Sequence, residues 1–192
     1  LVLRALSLAA VPVMAAPAAQ ANPPVYQYSI IGGLPAPSGS TANALPLALN
    51  NNGRIVGYSA TGPGTFQPMN WRSGQAMTLG GASAYDRAFA TRVNTLGRVV
   101  GAGYMMDGNG GILESHALRW TGGFVTNLGS LGGRSAVAMG INDAGKIVGY
   151  STLLGETQTQ AFIYQGATMT RLQSLPGTIE SYAYDISNTG YV

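Results

Sequence analysis

Along most of the chain, short apolar stretches alternate with small groups of Gly, Asn, Asp and Ser. This spacing is typical of short β-strands that are joined by turns. In the clearest region, between residues 135 and 174, we predict four strands, at 135–141, 146–152, 160–165 and 168–174. The pattern therefore predicts an all-β fold.

The strand pattern is repeated. Its turn reads "ALNNNGRIVGY" at 48–58, "RVNTLGRVVGA" at 92–102, "GINDAGKIVGY" at 140–150 and "DISNTGYV" at 185–192. The matching glycines are Gly53, Gly97, Gly145 and Gly190, which gives spacings of 44, 48 and 45 residues. A period of this size fits one four-stranded propeller blade. We therefore predict tandem four-stranded antiparallel repeats of about 44–48 residues, forming a partial β-propeller-like array over 34–192. We expect three full units and a truncated fourth, with the repeat continuing beyond Val192.

The predicted strand 135–141 alternates small and bulky side chains. One face would carry Ala136, Ala138 and Gly140, and the other Val137, Met139 and Ile141. A face of small side chains suits close packing of neighbouring sheets. In the first copy Pro46 occupies the Ala138 position, which predicts an irregular edge strand there. Trp71, Trp120 and Tyr164 share another position of the repeat.

Each repeated turn starts with Asn or Ser and ends with Gly. The starting residues are Asn50, Asn94, Asn142 and Ser187. Such side chains can bond their own backbone, and Gly takes a positive φ without steric cost. We therefore interpret the repeated residues as turn formers and not as a ligand site.

The phrases "LGSLGGRSAVAMGINDAGKIVGYS" and "QAFIY" resemble the bacterial extracellular repeat family HAF, which is named after a His-Ala-Phe tripeptide. Here the tripeptide reads His116-Ala117-Leu118 in the second copy, Gln160-Ala161-Phe162 in the third and Gln67-Pro68-Met69 in the first. The resemblance covers roughly residues 34–192. It implies an exported protein built from propeller-like β units, and no activity that can be assigned to particular residues.

The first 21 residues, "LVLRALSLAAVPVMAAPAAQA", have the three parts of a secretory signal: one early cation, an apolar run over 5–16, and a small-residue ending. An N-terminal membrane helix is the alternative, but the run is shorter than the roughly 20 residues that span a bilayer, and Pro12 interrupts it. We predict a signal peptide at 1–21 that is removed, a lead-in segment at 22–33, and an extracellular or periplasmic protein. No later stretch reaches the length of a transmembrane span.

Composition narrows the function classes. Charged residues make up 9% of the 192 residues, against roughly 25% in typical soluble proteins, and there are 28 Gly. The ten Lys and Arg residues are scattered singly, so no basic surface for nucleic acid is predicted. The chain has no Cys, which excludes disulfides, thiolate metal sites and a Cys nucleophile.

Few residues suggest chemistry. His116 is the sole histidine, and Glu114 lies two residues away on the same side of an extended strand. These two side chains are too few for a metal-binding or catalytic site. No pair among the seven carboxylates is indicated by spacing; they are Asp86, Asp107, Glu114, Asp143, Glu156, Glu180 and Asp185. Asp143 and Asp185 lie at or near turns, where Asp is a common turn former.

The stretch "MDGNGG" at 106–111 resembles the start of a calcium loop, with Asp107 and Asn109 as ligands. Too few oxygen ligands follow, and a hairpin loop is the simpler explanation. No serine-hydrolase elbow or phosphate-binding loop is present. The sequence therefore assigns no catalytic, cofactor-binding or metal-binding residue and no cofactor.

These observations favour an exported, non-catalytic binding or structural surface module. Its ligand is unknown, and both a glycan and a cell-surface protein are compatible with this role. Tyr58 and Tyr150 recur at one position of the repeat. A tyrosine at the end of a strand packs in the core as often as it contacts a ligand. The alternative is a fragment of a propeller-type secreted glycan-active enzyme, whose catalytic groups would lie outside this chain. Enzyme activity is left undecided, with a non-catalytic role favoured.

Overall fold

The computed structural model describes residues 32–34, 43–155 and 158–192, which form twelve β-strands and no helix. The strands are β1 (Ala44–Leu49), β2 (Ile55–Gly62), β3 (Thr65–Arg72), β4 (Gln75–Thr78), β5 (Arg87–Val93), β6 (Val99–Met106), β7 (Ile112–Thr121), β8 (Phe124–Asn127), β9 (Gly132–Ile141), β10 (Ile147–Leu153), β11 (Thr159–Gln165) and β12 (Thr168–Arg171). The all-β prediction is confirmed. The predicted signal peptide, most of the predicted lead-in and Glu156 lie outside the described residues.

The strands pair antiparallel in chain order within three runs, β1 to β4, β5 to β8 and β9 to β12. A single parallel pair, Phe66 with Arg87, joins the first run to the second, and another, Ser115 with Ser135, joins the second to the third. All twelve strands thus form one mixed sheet, in the order β1-β2-β3-β5-β6-β7-β9-β10-β11-β12, with β4 on β3 and β8 on β7. This sheet is not closed among the described strands. No described helix has the length and apolar character to cross a membrane.

The four strands predicted between 135 and 174 are all present as β9 to β12. Their ends differ from the prediction by up to three residues, since β9 begins at Gly132 and β12 ends at Arg171. Both differences lie at strand ends, where Gly and Ser make the boundary hard to place from sequence.

A β-bulge interrupts the first strand of every run. The residues left without a partner in the register are Leu47, Thr91 and Met139. Because one extra residue turns all later side chains to the opposite face, Ile141 packs in the same core cluster as Ala136 and Ala138. The simple alternation predicted over 135–141 is therefore wrong beyond Met139.

The irregular edge strand predicted at Pro46 is confirmed, since β1 lies at one end of the strand order and its bulge directly follows Pro46. The equivalent bulges follow Ala90 and Ala138, so proline is not their cause. A bulge at the same place in each run indicates that the whole repeat requires it.

The bulge explains the glycine that lies four residues after the turn glycine in the first three repeated phrases, Gly57, Gly101 and Gly149. A Cβ at Gly101 would lie 1.8 Å from the carbonyl oxygen of Phe89, on the neighbouring bulged strand. At Gly57 and Gly149 the same test gives 2.0 Å to the equivalent carbonyl oxygens. No side chain fits at such a distance, so these positions require glycine.

The core lies between consecutive runs. Val56 of the first run packs with Ala88, Ala90 and Trp120 of the second. Val100 of the second run packs in the same way with side chains of the third, which include Ala136, Ala138 and Phe162. Small side chains on β5 and β9 let the preceding run pack closely against these strands, which agrees with the role expected from the sequence for a face of small side chains.

The chain after β12, residues 172–192, forms no strand but packs as the first strand of a run would. Ala183 and Ile186 are buried and form a cluster with Val148 and Ala161 of the third run. The Ser181 amide donates to the carbonyl of Thr159 at 2.9 Å. We call residues 172–192 the C-terminal segment.

Candidate functional site

The four repeated turns lie side by side and bond to one another. The side-chain amide of Asn50 donates to the Asn94 carbonyl at 2.8 Å, that of Asn94 to the Asn142 carbonyl at 3.0 Å, and that of Asn142 to the Ser187 carbonyl at 3.1 Å. We call these four residues the turn row. The row connects each run to the next at one end of the strands.

The same side chains also hold their own turns. Asn50 Oδ1 accepts from the Arg54 amide at 2.9 Å, and Asn94 and Asn142 make the equivalent bonds. The four turn glycines all have positive φ, between 73° and 96°. The turn chemistry expected from the sequence is therefore present, and the bonds from turn to turn are an additional role that the sequence reasoning missed.

One signal for this additional role was in the sequence. Ser, Asp and Asn can all start such a turn, but only Asn carries its acceptor and its donor on two separate atoms, so that the oxygen can hold its own turn while the nitrogen bonds to the next. Ser187, in the last repeated turn, holds that turn through its Oγ, which accepts from the Tyr191 amide at 2.9 Å and lies 2.9 Å from Thr189 Oγ1. The repeated choice of Asn therefore marks the turns that need a donor as well.

Asp143 has a different role from the one predicted. Its Oδ1 accepts from the Thr95 amide at 2.9 Å, and its Oδ2 accepts from the Asn188 side chain at 2.8 Å. These hydrogen bonds, above all the one with Thr95, lower the pKa of Asp143 below its usual value. Asp143 thus joins three neighbouring turns, whereas the sequence suggested that it formed only its own turn. Asp185 pairs with Arg92 of β5 at 3.6 Å.

The lone histidine belongs to a small polar network. Tyr85 Oη lies 3.1 Å from His116 Nδ1, and His116 Nε2 lies 3.5 Å from Glu114. Arg134 Nε lies 3.8 Å from the other oxygen of Glu114. The network lies beside the Ser115–Ser135 pair, so it links the second run to the third. The sequence suggested Glu114 as a partner of His116; it did not indicate Tyr85 or Arg134.

The calcium-like stretch is a turn closed by its own aspartate. Asp107 Oδ1 accepts from the amides of Asn109 and Gly111 at 2.9 and 2.6 Å. A carboxylate engaged in this way serves as a loop cap. Among residues 32–34, 43–155 and 158–192, no group of three His, Cys, Asp or Glu could hold a metal ion.

Aromatic side chains gather in two places. Tyr58 contacts Phe66 and Phe89, with the Phe89 ring centroid 4.7 Å away, and Phe89 contacts Tyr104. Burial and, to a lesser extent, Tyr150 raise the pKa of Tyr104 to about 12. These four rings are partly buried, so they form a packed row between the first two runs.

The second group is more exposed, and we call it the tyrosine cluster: Tyr150, Tyr182 and Tyr184. Tyr150 and Tyr182 are 5.0 Å apart and nearly perpendicular, whereas Tyr182 and Tyr184 are 6.4 Å apart and close to parallel. Tyr182 is 44% exposed and Tyr184 62%. Burial and the hydroxyls of Tyr184 and Tyr182 raise the pKa of Tyr150, so its hydroxyl is protonated at pH 7 and can donate a hydrogen bond.

A groove of about 980 Å³ opens beside the tyrosine cluster, between β11, β12 and the C-terminal segment. Tyr182 and Tyr184 line it, together with the polar side chains of Arg171, Gln173 and Asp185. The groove combines exposed aromatic rings with both donors and acceptors. Of the described surfaces, it is the best candidate for a binding site.

Comparison of the chain with protein-family models, with curated proteins and with solved structures gave no match in any of the three. The resemblance to the HAF repeats therefore stays a prediction from the repeated phrases.

Proposed function

We propose that this chain is an exported β-repeat protein that acts as a non-catalytic surface module and binds glycans through the tyrosine cluster. In this proposal each antiparallel run is one four-stranded unit, and the units form a partial propeller-like array of the HAF type. The signal peptide predicted at residues 1–21 would direct the protein out of the cytoplasm.

Three observations support the propeller-like arrangement. The turn row joins equivalent residues at the repeat spacing, and each core cluster lies between one run and the next. Arg92 of the second run also pairs with Asp185, which lies beyond the third run. A contact that skips one run is what we expect if the first strands curve around a common axis, as the inner strands of propeller blades do.

The observation that carries the binding proposal is the pair of exposed rings of Tyr182 and Tyr184 at the edge of a polar groove. A sugar ring has one apolar face and a rim of hydroxyls. Tyrosine provides an apolar ring and a polar end, and Arg171, Gln173 and Asp185 can exchange hydrogen bonds with the rim. The chain would thus recognise a glycan by stacking and by hydrogen bonds together.

A glycan array probed with the purified chain tests this function, followed by calorimetric titration of the strongest ligand. We expect at least tenfold weaker binding for Tyr182→Ala and for Tyr184→Ala, which corresponds to about 1.4 kcal/mol for each ring. Tyr191→Ala is the matched control, because Tyr191 is 81% exposed in the same segment and does not line the groove. Absence of glycan binding, or equal losses for all three variants, would refute the proposal.

Export is tested separately. The chain is expressed with its N-terminus intact in a bacterial host, and the product outside the cytoplasm is sequenced. We expect it to begin at Asn22. A product that remains in the cytoplasm, or that is retained in the membrane with residues 1–21 present, would contradict the export proposal and leave the binding experiment unaffected.

One observation favours the second candidate, a fragment of a secreted glycan-active enzyme. Tyr85, His116 and Glu114 form a chain of contacts through which a proton could pass. This candidate would place catalytic groups within the chain, whereas the sequence predicted them outside it; the chain would then release sugar ends from a polysaccharide, and His116→Gln would abolish the release. A surface module shows no such turnover.

A further inference from the structure

Two guanidinium groups share a small cavity in the turn row, at the junction of the first two turns. Arg54 and Arg72 line this cavity of about 160 Å³, together with polar groups that include Asn52 and Thr95. None of the lining residues is a carboxylate. Two cations thus face one space with no charge to balance them.

The described residues provide no counter-ion for either arginine. Neither takes part in a salt bridge, and Glu156 is the one acidic residue outside the described part of the chain. Arg54 Nη1 donates to the Gly97 carbonyl at 2.6 Å, while its Nε is buried without a partner among the described residues. Burial and the neighbouring Arg72 lower the pKa of Arg54. An anion in the cavity would offset both the burial of the Arg54 charge and its repulsion by Arg72.

The next junction along the turn row is built differently. Arg98 takes the place of Arg54, and it approaches Gly145 as Arg54 approaches Gly97. Where the first junction has Arg72 and Thr95, however, the second has Thr121 and Asp143. The second junction therefore has one cation and a carboxylate of its own. The first has one more cation and no carboxylate, although the backbone of the turns is the same.

We propose that the first junction binds an oxyanion group of an acidic glycan, either a uronate carboxylate or a sulfate ester. Arg72 is exposed at the surface and can receive the group, and a guanidinium offers two parallel N–H donors to two oxygens. The glycan part of the proposal rests on the proposed function. The anion part depends only on the two arginines.

The experiment is an NMR titration that follows the arginine Nε–Hε signals of the full chain. The probes are galacturonate, inorganic sulfate and, as the neutral control, galactose. We expect saturable shifts at Arg54 and Arg72 with one or both anions and none with galactose. The stronger of the two anions identifies the source, carboxylate or sulfate. Added NaCl should weaken the binding, because this site is partly exposed.

Two variants complete the test. Arg72→Thr introduces the residue that the second junction has at this position, and we expect at least a tenfold rise in the dissociation constant. Arg134→Thr is the matched control, since Arg134 is an exposed arginine with a carboxylate partner, and it should leave the constant unchanged. Unchanged melting temperatures show that both variants fold.

The outcomes separate the two proposals. No shift at Arg54 and Arg72, equal shifts at Arg134, or unchanged binding by Arg72→Thr would each overturn the anion site, whatever the glycan array shows. If the anions shift the arginine signals but no glycan on the array binds the chain, the anion site is supported and the proposal that its anion belongs to a glycan is overturned.

Discussion

Asn94 provides the sharpest test of the turn row, because its side chain makes both kinds of bond and is 4% exposed. Asn94→Ala removes the acceptor for the Arg98 amide and the donor to the Asn142 carbonyl. Asn94→Ser removes only the second, since Ser187 holds the equivalent turn of the fourth copy through its Oγ. The two variants therefore separate the bond within the turn from the bond between turns.

The expected magnitudes follow from what each variant leaves unpaired. The Asn142 carbonyl keeps its bond from the Gly145 amide, so the loss in Asn94→Ser is that of one hydrogen bond, about 1 kcal/mol. In Asn94→Ala the Arg98 amide also loses its partner, which adds about 1–2 kcal/mol. We expect the free energy of unfolding to fall by about 1 kcal/mol for the serine variant and about 2–3 kcal/mol for the alanine variant.

Urea unfolding followed by tryptophan fluorescence measures both changes, because Trp71 and Trp120 are buried in the first two runs. Asn52→Ala is the control: the Asn52 amide also bonds to the next turn, at 2.8 Å to the Thr95 carbonyl, but it is exposed. It should cost less than about 0.5 kcal/mol. If Asn94→Ser is as stable as the wild type, the bonds between turns do not stabilise the fold and the reasoning is refuted.

Three further outcomes are expected. Gly101→Ala should cost several kcal/mol in urea unfolding or prevent folding, because its Cβ would meet the Phe89 carbonyl, whereas Gly108→Ala, with open space around it, should be near neutral. The raised pKa of Tyr104 favours the protonated folded state, so stability should fall as the pH rises from about 10 to about 12, by up to about 2–3 kcal/mol, and Tyr104→Phe should reduce this loss. The lowered pKa of Asp143 gives the opposite sign: its contribution is present above about pH 4 and lost as the pH falls through the lowered value, so Asp143→Asn should show a smaller loss in acid unfolding.

The sequence was sufficient for the strands and turns because both depend on local chemistry. Apolar stretches bounded by turn residues gave β9 to β12 nearly in full, and the repeated glycines have the positive φ that their turns require. The bulges could not be seen in the same way. A bulge depends on the register with the neighbouring strand, and the only local sign of it was a glycine, Gly101 or its equivalents, that no turn explained.

The candidate site was harder to predict, because its parts come from distant segments. Tyr150 was noted as a repeated residue, but Tyr184 occurs in no other copy, and the position of Tyr182 is aromatic in only one other copy, as Phe89. The cavity of Arg54 and Arg72 likewise combines a turn with the end of a later strand. Spacing along the chain does not reveal such neighbours unless the fold is already known.

The contacts between consecutive runs also determine how this protein would unfold under mechanical force. Within a run the strands share many backbone hydrogen bonds, whereas one parallel pair, the hydrogen bonds of the turn row and packed side chains hold one run to the next. Tension applied to the two ends would therefore separate the runs one after another. Each separation would increase the end-to-end distance of the protein in a distinct step. Most strands would stay folded while the contacts between the runs separate.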